Sequence, residues 1–487
     1  MTTYYYQERK ELKIIAHADV LVIGGGFGGI CAALSAANAG MQTVLVEKNA
    51  VLGGQAAEID TWGLDGFVDK RGHLAVAGYP WKILWKTVKE GGSDHFFERI
   101  SIDTLEEKGI AEALREADLN EYIPYIDTGS FMNPFNDQFV NPNAYRYVAE
   151  KELETAGVRI LLGMPVTGVL VEENRVVGVV LLGEFEKFAV TAERVVDTTQ
   201  GASVCALAGK RFAYPKAYLG TLPRVSGIDI HKVIDYIRYT DDEWFLRPMV
   251  GSQADPDMME SLADRGNPLA IHGFRKAMKQ AVAENPEYEL LNRMLDCLMF
   301  FYERDGMGAY WAIDDTLHNT DVSDPLEYTH AILDARKQQW LMHRFYVNYV
   351  PGFEKAQLLD TYANISKAYH QSFETSDFTE YSISEEEIRS GICQREDYIV
   401  KILGHPASGQ NPEGWYIPLA ALIPKGLNGI LVTGKPACRK IHYIASCALV
   451  GQAAGAAAAQ SVLQSKDLRD TDAGKIRETL RKQGVLI

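Results

Sequence analysis

The chain has 487 residues, 47% of them hydrophobic and 23% charged, a globular composition with apolar chain enough for about three domains. Its net charge of −16 and pI of about 5.2 argue against nucleic acid as a partner. No run of 18 apolar residues occurs, and residues 1–16 are polar, with Glu8, Arg9, Lys10 and Glu11 where a signal peptide needs an apolar stretch, so no membrane span is expected and the expected location is the cytoplasm.

Periodic structure begins at Val20. Residues 20–23 form a short β-branched apolar run, as a strand buried on both faces does. The run Gly24-Gly25-Gly26-Phe27-Gly28-Gly29 follows, then a small-residue helix over 30–39 closed by Gly40, then a strand over 43–46 that ends on Glu47. Gly24 makes the tight turn, Gly26 lets backbone approach a pyrophosphate, and Gly29 lets the helix pack close to the strand. The pyrophosphate charge sits on the free N–H groups of the helix N-terminus. Glu47 lies 23 residues beyond Gly24, where a carboxylate accepts hydrogen bonds from an adenosine ribose and disfavours a 2′-phosphate. Strand, glycine turn, helix, strand and acid together predict a dinucleotide site.

Leu52-Gly53-Gly54-Gln55 comes next. A glycine pair just past the ribose-binding acid has no use at a nicotinamide. In flavoproteins it lets the chain run beside the ribityl and isoalloxazine part of FAD, which favours FAD over NAD. Residues 61–92 are rich in Gly and Trp, with a helix predicted over 80–89, and read either as a wall of the cofactor site or as core. Asn141-Pro142 opens a helix that stops at Gly157. Alternating residues then predict a β-meander over about 158–197, with Glu173-Asn174 as one turn and Asp197-Thr198-Thr199-Gln200-Gly201 as its exit beside the cofactor.

Residues 211–400 read as largely helical, with a helix from Asp324-Pro325 to Tyr349 that stops before Pro351. Their aromatic residues, among them Phe300, Tyr310, Trp340 and Tyr346, suggest either an apolar or aromatic substrate pocket or a helical core. The nucleotide unit resumes with a strand over 429–434 ending in Gly434. A loop with Lys435, Cys438, Arg439 and His442 leads to a small-residue helix from about Ala445 through Ser446, Gly451, Gln452, Ala453 and Gly455. Such a helix can pack backbone to backbone, and its positive N-terminus suits the N1/C2=O edge of a reduced flavin. The six cysteines make no CxxC pair, which argues against a redox disulfide of that type, a zinc ribbon or a regular iron–sulfur site, and suits a reducing compartment.

These motifs resemble the bacterial FAD-dependent oxidoreductase family, which has the glutathione-reductase-like flavin fold and is distantly similar to fumarate reductase flavoproteins. Four segments carry the likeness: Val22 to Gly29 with Val46-Glu47-Lys48 and Leu52-Gly53-Gly54; Arg194 to Thr199; Ala335-Arg336 through Tyr349 to Phe353; and Gly429 to Gly455. The resemblance implies an α/β fold: a Rossmann-like FAD-binding domain with a β-meander, plus a mostly helical substrate or cap domain inserted in the chain. The corresponding boundaries are an N-terminal extension at 1–16, FAD-binding parts at 17–210 and 405–487, and the insertion at 211–404. The expected cofactor set is Gly24, Gly26, Gly28, Gly29, Glu47, Lys48, Gly53, Gly54, Gln55, Val166, Thr199, Gly434, Ser446, Gly451, Gln452 and Ala453.

The chain departs from this family where substrate would be held. Gln200 stands where a glycine is usual, residues 365–372 lack the family's arginine pair, and His442 stands where an arginine is frequent. The losses weaken the case for a carboxylate gripped by guanidinium groups. His442 is the first candidate proton partner, since imidazole titrates near neutrality. Arg439, Tyr443 and His370 are the further catalytic candidates. No HxxxH or HExxH spacing points to a metal, no GxSxG to a serine nucleophile, and no second glycine-rich unit with an acid to a nicotinamide domain. The expected activity is hydride exchange between flavin N5 and a small organic substrate at a C–H, C–N or C=C bond. The alternative is a flavoprotein subunit passing electrons to a partner, and a third reading is modification of a macromolecule. A homo-oligomer is also among the expected assemblies.

Overall fold

Eleven consecutive residues, Lys13–Ile23, make the first strand (β1), and its last four, Val20 to Ile23, are apolar and sealed on both faces. The strand thus reaches back into the stretch assigned above to an N-terminal extension. The computed structural model describes residues 11–54, 64–67, 69, 74–90, 104, 107–108, 110–116, 137–138, 141–210, 218–220, 222–242, 245–247, 255–264, 266, 269–293, 295, 298–303, 305–311, 320–361, 366–368, 378–404, 409–437, 440–441 and 443–487.

Helix α1 (Phe27–Asn38) follows the glycine turn and leads to β2 (Thr43–Val46). Helix α2 (Tyr79–Lys89) packs on this unit, and α3 (Pro142–Thr155) is opened by Asn141, whose Oδ1 accepts from the Asn143 N–H at 2.9 Å. Four strands follow: β3 (Arg159–Leu161), β4 (Val166–Glu172), β5 (Arg175–Leu182) and β6 (Lys187–Asp197). Glu173 and Asn174 both have positive φ, 45° and 64°, the two-residue turn that matches strand twist.

The inserted region places β7 (Arg224–Ser226), α4 (Ile230–Tyr239), β8 (Phe245–Arg247), β9 (Leu269–His272), α5 (Arg275–Glu284), β10 (Met299–Tyr302), β11 (Gly308–Trp311), α6 (Pro325–Tyr349) and β12 (Gln357–Asp360). Then come the hairpin β13 (Tyr398–Ile402) and β14 (Trp415–Pro418), the strand β15 (Ile430–Val432), and helices α7 (Ile444–Leu463) and α8 (Ala473–Lys482).

The main sheet runs β3-β2-β1-β6-β5-β4, with β15 alongside the end of β6. Strands β3, β2, β1, β6 and β15 are mutually parallel, whereas β4 and β5 form the antiparallel meander. The register pairs Ile23 with Val46 and with Asp197, and Val432 with Asp197. Gly24, Glu47, Thr198 and Thr433 therefore leave the sheet at one carboxyl edge, where ligands of open α/β sheets bind.

The insertion holds more than helices: a six-stranded antiparallel sheet, β8-β9-β10-β11-β7-β12, lies beside them. Its strands are three or four residues long. Phe300 and Phe301 point to opposite faces of β10 and neither is exposed, so the sheet is covered on both sides. That gives a continuous apolar run, Met299–Tyr302, with no alternation to mark it as strand. Helix α7 is long and apolar enough to cross a membrane, but 78% of its apolar window is buried inside the fold, as in a core helix.

Candidate functional site

The glycine turn is built for contact between backbones. Gly24 has φ +105°, a conformation open to glycine, and a Cβ there would meet Thr198 Oγ1 at 2.8 Å. A Cβ on Gly29 would run into the Gly24 carbonyl oxygen, so this glycine is what lets α1 sit against the end of β1. Around Gly26, by contrast, a Cβ would meet nothing within 4 Å. The protein leaves that space open beside the first N–H groups of α1, where a pyrophosphate would pass.

Glu47 is 7% exposed at the end of β2. Its Oε2 accepts from the Gly25 N–H at 2.6 Å and its Oε1 from the Asn49 N–H at 2.9 Å, which hold the carboxylate at the cradle with lone pairs to spare for a ribose. The Gly53 N–H donates to Gly25 O at 2.8 Å, and Gly53 and Gly26 form a parallel bridge, so the second glycine pair lies on the first.

Two residues absent from the expected set complete this edge. Thr198 Oγ1 lies 2.9 Å from both Ile23 O and Gly24 O, fastening the turn to the end of β6. Asp197 Oδ1 accepts from the Thr199 N–H and hydroxyl at 3.0 and 2.6 Å, and Oδ2 from the Val204 N–H at 2.9 Å. Complete burial pushes its carboxyl up to about 6, against the downward pull of those bonds. The strand-terminal Asp was visible in the sequence; that β6 lies next to β1, which gives Thr198 its task, was not.

Helix α7 lies along α1. A Cβ on Gly451 would overlap the Gly28 carbonyl, and one on Gly455 the Ala32 carbonyl. Advancing four residues on each helix keeps contact, so the two run parallel, with both N-termini at the carboxyl edge of the sheet. Neither has a side-chain cap or an acid in its first turn, unlike α3, α6 and α8, each capped by an Asn or Asp side chain. Gly451 meets Gly28, so α7, which begins at Ile444, projects past the start of α1 at Phe27, and the two positive helix ends stand at different depths along one direction. At the α7 end, Ser446 Oγ is fully buried and has no hydrogen-bond partner among the described residues, so a ligand at this helix end could satisfy it. These features fit FAD.

The structure gives other expected residues different work. Gly28 and Gly451 form the seam between the helices, and Ala453 is core. Gln452 is committed within the protein: its Oε1 accepts from the Tyr79 N–H at 2.8 Å and its Nε2 donates to Gln483 Oε1 at 3.1 Å. Thr199 is tied to Asp197 and accepts from the Ser203 N–H. Val166 starts β4 opposite Leu181, Lys48 is exposed beside Glu47, and Gly434, with φ +67°, leaves open space at the end of β15. Tyr443 stands at the N-cap of α7 with its ring on Gly66, where a Cβ would overlap it. Gln55, His370, Arg439 and His442 lie outside the described residues.

Of the two readings of the aromatic residues, core prevails. Phe300, Tyr310, Phe345, Tyr346 and Phe353 are unexposed, and Tyr310 stacks on Tyr346 with centroids 4.6 Å apart. They no longer support an apolar or aromatic substrate. His343, missed in the sequence, faces this cluster: its Nδ1 lies 3.3 Å from Tyr310 Oη, and burial lowers its pKa.

A family model for FAD-dependent oxidoreductases matches residues 19–367, most of the chain. The chain belongs to this family. Its cofactor is FAD and it is an oxidoreductase. Among curated proteins, this flavoenzyme is 53% identical over 49 residues to one component of the ferredoxin:CoB-CoM heterodisulfide reductase of Methanosarcina acetivorans, covering 10% of this chain and 6% of that protein. It is 60% identical over 42 residues to the mitochondrial dihydrolipoyl dehydrogenase of Caenorhabditis elegans, covering 9% of this chain and 8% of that protein. The chain thus spans less than a tenth of the length of these relatives. Among solved structures it is similar to Aquifex aeolicus GidA, at 14% identity over 97% of this chain and 74% of that one, with a TM-score of 0.48. It is also similar to a geranylgeranyl bacteriochlorophyll reductase-like protein of Thermoplasma acidophilum, at 14% identity over 96% and 83%, with a TM-score of 0.41.

Proposed function

We propose that this flavoenzyme exchanges a hydride with a small organic substrate at a C–H, C–N or C=C bond, at flavin N5. The observation that carries the reading is the cradle in which Glu47 sits at the uncapped α1 end with the uncapped α7 running parallel to α1, in a sequence without a second glycine-rich unit and acid for a nicotinamide. When bound, FAD supplies the hydride donor or acceptor. In this reading the α1 N–H groups hold the pyrophosphate, Glu47 the adenosine ribose, and the α7 N–H groups with the Ser446 hydroxyl the pyrimidine edge. His442, just ahead of α7, takes or gives the accompanying proton. Arg439 stabilises negative charge on the substrate or the reduced flavin, Tyr443 is a further proton donor, and His370 faces the substrate.

Purified protein is expected to be yellow and to bleach anaerobically with one member of a metabolite panel; a colourless protein that FAD cannot reconstitute would sink the proposal. His442→Ala is expected to slow single-turnover flavin reduction or reoxidation by that substrate, and an unchanged rate removes His442 from the mechanism. The local identity to a heterodisulfide reductase component favours a second reading, in which the chain passes electrons to a partner protein. A stable hetero-complex in native mass spectra of material from the source cell, with no turnover by the isolated chain, would decide for it.

A further inference from the structure

The seam between α1 and α7 is made of glycine and alanine backbone. Such a seam fixes the distance between helices, but its small side chains offer few teeth against sliding along the axis. Directional bonds supply what the seam lacks, and they converge on Gln483, the C-cap residue of α8.

Gln483 is 7% exposed, and Ser35 of α1 and Gln452 of α7 are not exposed at all. The Ser35 hydroxyl donates to Gln483 Oε1 at 2.8 Å, and Gln483 Nε2 donates back to Ser35 O at 2.9 Å. Gln452 Nε2 donates to the same Oε1 at 3.1 Å, while Gln452 Oε1 accepts from the Tyr79 N–H that starts α2. Lys82 Nζ donates to Gln483 O at 3.2 Å, and the Gln483 N–H donates to Thr479 O and Leu480 O, which fixes its own backbone on α8. The Gln483 side-chain amide thus joins α1 to α7, and its backbone carbonyl and Gln452 Oε1 add α2. The fit is tight: a Cβ on Gly78 would meet Gln452 Oε1 at 2.5 Å and Val485 Cγ2 at 2.9 Å. A buried amide is costly when unpaired, so these bonds hold their geometry.

We propose that Gln483 is a positioning residue for FAD: it sets the axial register of α1 against α7, and with it the spacing of the two helix ends that hold the cofactor. Ser35 and Gln452 lie well along their helices, so Gln483 acts through the helices and not by touching FAD.

Gln483→Met keeps the shape and removes the bonds, and Ser35→Ala removes the α1 anchor with a residue that favours helix. On the full chain, the FAD dissociation constant is expected to rise about tenfold in Gln483→Met and about threefold in Ser35→Ala. Adding Gln452→Met to Gln483→Met is expected to weaken FAD no further, because both act in one network. Oxidised and reduced flavin lose affinity unequally, so the midpoint potential moves. Lower melting of the apoprotein with FAD affinity within twofold of wild type and an unmoved potential would reduce the network to a structural role and overturn the proposal. Should Gln483→Met not fold, Ser35→Ala decides by the same readings.

Discussion

Along α1 and α7 the contacts are carbonyl oxygens against glycine, with no side chain between them. Across the inserted sheet they are Phe300, Tyr310, Tyr346 and Phe353 ring against ring, with Phe300 and Phe353 centroids 4.8 Å apart. In the first region geometry is set by what is missing, and a single added methyl has nowhere to go. In the second it is set by bulk, and loss of a ring leaves a hole. The first arrangement keeps backbone N–H groups and open space for a ligand; the second leaves little room for one. Tightness by itself therefore does not mark a site. Nor does one buried unpaired polar atom, since Tyr346 Oη in the aromatic cluster shares that condition with Ser446 Oγ; the cradle is set apart by the open space at Gly26 and the two uncapped helix ends.

Substitutions at the two contacts should separate these roles. The largest effect is expected from Gly451→Ala, whose methyl would collide with the Gly28 carbonyl; overpacking of ~3 kcal/mol or more should leave little soluble, FAD-bearing protein, and a yellow, normally stable Gly451→Ala would break the contrast. Phe300→Ala should cost ~3–5 kcal/mol in urea unfolding while the folded fraction keeps its FAD affinity; a large loss of affinity would show that the aromatic core and the cradle are coupled. Smaller is the pH effect of Asp197. Burial raises this carboxyl above its unfolded value, so the folded state binds the proton more tightly than the unfolded state. Stability should accordingly fall as pH rises from about 4 to about 6 and change little from this group above that, by on the order of 2 kcal/mol. Asp197→Asn should flatten that slope in urea titrations across the window, and an unchanged slope assigns it elsewhere. Smallest of all is Trp340→Ala: the ring is 53% exposed on α6, and unfolding free energy should shift by under ~0.5 kcal/mol.

The same contrast explains what could be read from the chain. Glycines, caps and the acid at Glu47 are local signals, so β2, the Asn141 and Asp324 caps and the Glu173-Asn174 turn were legible almost to the residue, whereas β1 begins at Lys13 and not Val20, and α1 at Phe27 and not Ile30. The small-residue pattern of α7 announced close packing but not its partner, which is why Gly451 and Gln452 were read toward the cofactor when they face Gly28 and Gln483. The inserted sheet was illegible because its strands are only three or four residues long and its central one, Met299–Tyr302, is buried on both faces and carries no period. Thr198 needed the pairing of β1 with β6, a relation between segments that no window of sequence contains.

The parallel seam also has a place in time. Helix α1 is complete by Asn38, whereas the face that covers its Gly28, Ala32 and Ser35 begins at Ile444. At ribosomal rates of roughly 5–20 residues per second, some tens of seconds separate the two during synthesis. Through that interval the glycine turn and its helix stand without their counterpart, so the nascent chain carries a half-built nucleotide site.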